Sequence, residues 1–191
     1  MDSSEFEIAL LQKLQDCSHV AVIGIGADLR EDDAVGNLLA CELIGSIKQL
    51  LDESNNCNYN WSENEYIRAG QLLVLNASVA PEQYITMLKD FSPDKIILID
   101  AATMGTAANP GDLAFIEPEE LDLSTFSTHT ISIRYFIEIL KTLGVAAECF
   151  VIGMMPASLG YGEALSQPVE ETKVFLKSLL IEYMKRNCLN T

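Results

Sequence analysis

Residues 20–36, with the sequence VAVIGIGADLREDDAVG, carry the strongest structural signal in the chain. The first six of them form an almost continuous apolar run, which is typical of a strand that helices cover on both faces. Gly24 and Gly26 permit a tight turn after that strand. A helical pattern of apolar residues follows at 39–50. The segment therefore predicts a buried strand, a tight turn and a helix.

The same alternation of apolar runs and helical patterns continues along the chain. Further runs lie at 72–75, 96–99 and 149–152, with helical patterns at 5–14, 133–140 and 169–183 and a short extra strand at 112–116. This order predicts a single α/β domain over 1–191, a three-layer α/β/α sandwich with a mostly parallel, twisted central sheet. The polar, asparagine-rich residues 52–65 lack periodicity, and we expect an exposed insertion there, anchored by Trp61.

Composition excludes several classes of function. The 191 residues are 49% hydrophobic and carry a net charge of −16, which disfavours disorder and the binding of nucleic acid or anionic lipid. No signal peptide and no apolar run long enough to span a bilayer is visible. The five cysteines are scattered without a C-x-x-C pair, which suits reduced thiols. We therefore expect a soluble cytoplasmic protein.

Ligands of open α/β sheets bind at the carboxyl ends of the parallel strands. Position 29 is Leu where a dinucleotide-binding G-x-G-x-x-G motif needs Gly, and the loop is acidic. The remaining candidates are the acids of residues 28–33, Asp100 after the third apolar run, and His129. Two carboxylates and an imidazole can hold Zn, Ni or Fe. The alternatives are structural: a helix cap at Asp32 or Asp33, a hydrogen-bonding role for Asp100, and an ordinary loop histidine.

Five short motifs in the chain resemble those of the nickel–iron (NiFe) hydrogenase maturation endopeptidases, most closely the hydrogenase-3 type. They lie, in the family's order, at residues 24–36, 99–111, 128–129, 153–156 and 166–169. Two positions depart from the family pattern. Ala27 stands where the family has Asn after G-x-G, and Met155 stands where Gln is common before Pro156. Both departures remove a side-chain amide that could hydrogen-bond.

The resemblance implies a function and a site. It implies an endopeptidase that removes the C-terminal extension of a hydrogenase large-subunit precursor after nickel insertion. It places the metal contacts at Asp33, Asp100 and His129, with Asp33 and Asp100 as the catalytic groups. The nickel is presented by the precursor, no nucleotide or organic cofactor is expected, and the protein is expected to act as a monomer.

The chemistry stays open at several points. The metal could polarise the scissile carbonyl for attack by a carboxylate-activated water, or it could only position the substrate while an aspartate does the acid–base work. A serine or cysteine protease is disfavoured, because the chain has two histidines and no G-x-S-x-G motif. Two other functions remain alternatives: a non-proteolytic nickel-site chaperone of the large subunit, and a small-molecule metallohydrolase on the same fold.

Overall fold

A seven-stranded sheet organises the computed structural model, which describes residues 2–118 and 130–189. The helices are α1 (Ser3–Lys13), α2 (Val35–Glu53), α3 (Ile85–Phe91), α4 (Thr130–Thr142) and α5 (Gln167–Asn187). The strands are β1 (Val20–Ile25), β2 (Tyr59–Ser62), β3 (Tyr66–Ala69), β4 (Leu72–Ser78), β5 (Lys95–Ala101), β6 (Leu113–Ile116) and β7 (Glu148–Met154). Single turns of 3-10 helix, Glu31–Ala34 and Pro81–Tyr84, precede α2 and α3.

The strand order across the sheet is β2-β3-β4-β1-β5-β7-β6. The four central strands, β4, β1, β5 and β7, are mutually parallel. The outer strands are antiparallel to their neighbours, β6 at one edge and the β2–β3 hairpin at the other. The sheet is therefore mixed at its edges and parallel at its centre, which confirms the predicted α/β class.

Alternate residues of β1 face two separate apolar cores. Val20 and Val22 pack among residues of α1, α2 and α5, whereas Ala21, Ile23 and Ile25 pack among residues of α3 and α4. Successive strand residues point to opposite faces, so a strand covered on both faces needs apolar residues at every position. This double burial explains the unbroken apolar run and gives the three-layer sandwich.

The prediction that residues 52–65 form an exposed insertion without regular structure is wrong for part of that range. Asp52 and Glu53 still belong to α2, and Tyr59–Ser62 forms the edge strand β2. The prediction failed because an edge strand need not have a buried face, so its sequence can stay polar. Trp61 is half-exposed on this strand, and the Lys48 ammonium of α2 lies 4.8 Å from its ring centroid. That cation–π contact ties the edge to the helix.

Helix α2 crosses the ends of two strands at very short distance because of Gly36. A Cβ atom built on Gly36 would lie 2.2 Å from the carbonyl oxygens of both Ile25 and Ile99. With the turn before it, the helix spans Glu31–Glu53, which by length and composition alone could cross a membrane. It contacts β1, β4 and α5 and is largely buried, as core helices of globular proteins are.

Candidate functional site

The carboxyl ends of β1 and β5 bring the two predicted aspartates into one region. Asp33 lies in the turn Glu31–Ala34, which contacts β5, and Asp100 is the penultimate residue of β5. Residues three apart share a face of a helical turn, so Asp33 lies on the face that Gly36 presses against Ile99. Asp33 is 0% exposed and Asp100 is 2% exposed. The structure thus places two buried carboxylates at the sheet edge where α/β folds bind ligands.

The neighbouring Asp32 has a different, structural role. One oxygen of its buried carboxylate accepts hydrogen bonds from the Ala157 N–H at 2.8 Å, the Ser158 N–H at 3.1 Å and the Ser166 hydroxyl at 2.9 Å. The other oxygen accepts from the Ser166 N–H at 2.7 Å. Asp32 therefore fastens the loop 155–166 and the start of α5 to the turn that carries Asp33. Of the two adjacent acids, Asp32 is therefore a structural anchor, and the site role of Asp33 stays a prediction.

Asp32→Ala is expected to lower the free energy of unfolding by about 3 kcal/mol, because it removes a buried charged group that accepts four hydrogen bonds. Urea denaturation measures the loss, and hydrogen exchange should show lower protection in residues 157–166. Asp32→Asn keeps one acceptor oxygen and should lose less. An Asp32→Ala protein with the wild-type urea midpoint would contradict the anchoring role.

Asn37 is a site residue that the sequence reasoning missed. It lies in the first turn of α2, is buried, and its amide donates to the Gly26 carbonyl at 2.5 Å and to the Asp28 carboxylate at 2.9 Å. Gly26 has a backbone φ of +147°, which glycine adopts readily and other residues rarely do. The turn after β1 therefore has a side-chain amide donor from α2, although residue 27 is Ala. The sequence signal that could have found Asn37 is its position four residues after Asp33, because that spacing places two residues on one face of a helix.

Met155 also retains a polar contact. Its thioether sulfur accepts a hydrogen bond from the Met104 N–H at 3.2 Å, and its own N–H donates to the Asp112 carbonyl at 2.9 Å. Met155 therefore joins the loop after β5 to the end of β7, although sulfur is a weaker acceptor than an amide oxygen.

The third predicted metal contact, His129, lies outside the described residues. Within 2–118 and 130–189, no three His, Cys, Asp or Glu side chains are grouped so as to hold a metal ion. Asp33 and Asp100 offer oxygen donors, which suit a metal shared with another ligand set. The metal assignment of all three residues remains a prediction.

Two of the cysteines, Cys41 and Cys149, are poorly suited to nucleophilic chemistry. Cys41, one helical turn after Asn37, receives a hydrogen bond from the Asn76 amide at 3.1 Å. Burial raises the pKa of the Cys41 thiol, and burial raises the pKa of Cys149 to about 11. Raised values keep these thiols protonated at neutral pH, whereas the nucleophile is the thiolate. The carboxylates remain the better candidates for catalysis.

Comparison with known proteins identifies the family. The model of the hydrogenase maturation protease family HycI matches residues 57–182, a range that includes Asp100 and begins after Asp33. A putative hydrogenase maturation protease of Methanocaldococcus jannaschii is 30% identical over 176 residues, 92% of this chain and 94% of that protein. The hydrogenase 3 maturation protease of Escherichia coli K12 is 25% identical over 148 residues, 77% and 79% of the two chains.

Solved structures agree with the sequence comparisons. The crystal structure of the NiFe-hydrogenase maturation protease HycI from Thermococcus kodakarensis superposes with a TM-score of 0.71 at 25% identity, covering 93% of this chain and 99% of that one. The hydrogenase maturating endopeptidase HybD of E. coli, at 17% identity and a TM-score of 0.63, shares the fold. The chain therefore belongs to the hydrogenase maturation protease family and is a peptidase of hydrogenase maturation.

Proposed function

We propose that this protein removes the C-terminal extension of a NiFe-hydrogenase large-subunit precursor once nickel has been inserted, and that it recognises the precursor through that nickel. The observation that supports this most directly is the placement of Asp33 and Asp100. Both are buried carboxylates at the carboxyl ends of adjacent parallel strands, in a turn and a strand that contact each other. The family relationship supplies the reaction class, peptide-bond hydrolysis in hydrogenase maturation.

In this proposal the nickel is part of the substrate. Asp33 and Asp100 offer it two oxygen donors, His129 offers a nitrogen, and the precursor holds the remaining coordination positions. Since the two aspartates are almost inaccessible in the structure, neighbouring groups must move before the nickel of the precursor can contact them. The protein is proposed to act as a cytoplasmic monomer with no organic cofactor.

Two routes to hydrolysis fit this arrangement. In both, a water adds to the scissile carbonyl and the leaving amine takes up a proton. In one route the nickel polarises the carbonyl while a carboxylate of Asp33 or Asp100 removes a proton from the water. In the other the nickel only positions the peptide, and the same carboxylates provide the acid and the base. Both require at least one of the aspartates to be charged at the sheet edge.

The test is to mix the purified protein with its large-subunit precursor, nickel-loaded and nickel-free, and to record intact masses. We expect a C-terminal peptide to be lost only from the loaded precursor. A stable complex in which the precursor is never shortened would refute proteolysis in favour of the chaperone alternative. Multiple turnover on small amides without action on the precursor would indicate a metallohydrolase. Equal cleavage of the nickel-loaded and nickel-free precursors would refute nickel recognition and leave proteolysis standing.

A further inference from the structure

Two large apolar side chains are exposed beside the buried aspartates. Leu29 is 60% exposed and Tyr161 is 92% exposed. Leu29 lies in the loop after β1, and Tyr161 lies in the loop after β7, so both belong to the carboxyl edge of the sheet. Single exposed apolar residues are ordinary, but two that lie together next to a site call for a functional explanation. We call these two residues the two-loop patch.

The backbones beneath the patch are paired with each other. Arg30 and Gly162 form a parallel β-bridge, in which the Glu31 N–H donates to the Gly162 carbonyl at 2.9 Å and the Gly162 N–H donates to the Leu29 carbonyl at 3.2 Å. Leu29 and Tyr161 each lie one residue before a bridge partner, on two backbone segments that are hydrogen-bonded to each other although they are far apart in sequence.

The patch is held in place before any partner arrives. The Arg30 guanidinium donates to the Leu159 carbonyl at 3.0 Å, and the Asp32 carboxylate fastens Ala157, Ser158 and Ser166. A surface that is already ordered loses little conformational entropy on binding, which favours affinity. Leu29 is also only four residues before Asp33, so the Cα atoms of the two residues lie within about 14 Å of each other.

The surroundings of the patch are acidic. Residues 26–33 and 155–166 contain five acids and one base, Arg30, and two of the acids, Asp32 and Asp33, are fully buried. Of these acids, Asp28 and Glu163 are exposed. An apolar centre with a negative rim complements a segment that carries an apolar side chain flanked by Lys or Arg.

From this arrangement we propose that Leu29 and Tyr161 dock the precursor through a segment with an apolar side chain and neighbouring basic residues, outside the scissile bond. The inference rests on the proposed function and adds to it a recognition surface that is separate from the nickel contacts. Docking at such a surface raises the affinity for the precursor and leaves the chemical step unchanged.

The test compares Leu29→Ser, Tyr161→Ser and the double variant in cleavage of the nickel-loaded precursor. We expect the double variant to raise KM by at least about tenfold, as loss of a central apolar contact does, with kcat within about twofold of wild type. Leu143→Ser is the matched control, because Leu143 is also an exposed leucine but lies between α4 and β7, where the parallel strand begins and not where it ends. It should leave KM unchanged. A wild-type KM in the double variant overturns the docking surface.

The acidic residues around the patch are tested separately, by the salt dependence of KM. Glu163→Gln should raise KM at low salt, and the difference from wild type should vanish at high salt, since surface charges are screened there. The same KM at every salt concentration would overturn the basic character of the partner segment. If the wild type binds the precursor without cleaving it, the proposed function fails, and the dissociation constant of that complex replaces KM as the readout for the patch.

Discussion

Asp33→Asn is expected to reduce cleavage of the nickel-loaded precursor by at least about 1,000-fold while the protein stays folded. The substitution keeps the size of the buried side chain and removes the negative charge needed for a metal contact or a general base. Intact-mass time courses measure the loss of activity. Urea denaturation and circular dichroism measure the fold, and both should remain close to those of the wild type.

Asp90→Asn serves as the control for that substitution. Asp90 is an exposed residue of α3, so the same change of charge occurs away from the sheet edge. The Asp90→Asn variant should cleave the nickel-loaded precursor as the wild type does. Normal cleavage by a folded Asp33→Asn variant would remove Asp33 from the proposed mechanism, and a variant that does not fold would assign it a structural role instead.

Gly36→Ala is expected to destabilise the fold by more than about 4 kcal/mol, which is exceptional for one methyl group. The new Cβ would lie 2.2 Å from two backbone oxygens, those of Ile25 and Ile99, and neither strand can yield without disrupting the parallel sheet. We expect little folded protein at room temperature, measured by urea denaturation or by the yield of soluble protein.

Gly45→Ala on the same helix provides the opposite case. Gly45 is exposed, and its added Cβ would meet no atom within 4 Å. In the interior of an exposed helix face, alanine is favoured over glycine by about 0.8–1 kcal/mol, so this variant should be more stable than the wild type. Comparable stability of the two variants would show that the close crossing of α2 over β1 and β5 tolerates a side chain.

The central strands could be predicted from the sequence because strands that are buried on both faces have apolar residues at nearly every position. In β1, every residue of Val20–Ile25 is apolar or Gly, and every one is buried. The hairpin β2–β3 has no such apolar pattern. Tyr59–Ser62 is held at the edge by backbone pairing to Tyr66–Ala69 and is otherwise half-exposed, and backbone hydrogen bonds do not restrict residue type.

At the candidate site, residue patterns alone did not separate Asp32 from Asp33, and only the resemblance to the family selected Asp33. Adjacent acids in one turn look alike in sequence, and only the fold shows that the Asp32 carboxylate reaches residues 157–166, far along the chain. The placement of Asp100 at the end of β5 followed directly from the apolar run before it. The role of His129 stays a prediction, because that residue lies outside the described part of the chain.

The position of Asn37 has a consequence for how relatives of this protein are recognised. The turn after β1 requires an N–H donor at one point in space, the Gly26 carbonyl, and here that donor comes from α2 and not from residue 27. An alignment scored column by column would register Ala27 in the turn and would not show that Asn37 donates to the Gly26 carbonyl. The support of this turn is therefore a property of the contact between α2 and the loop after β1, and residue 27 alone does not reveal it.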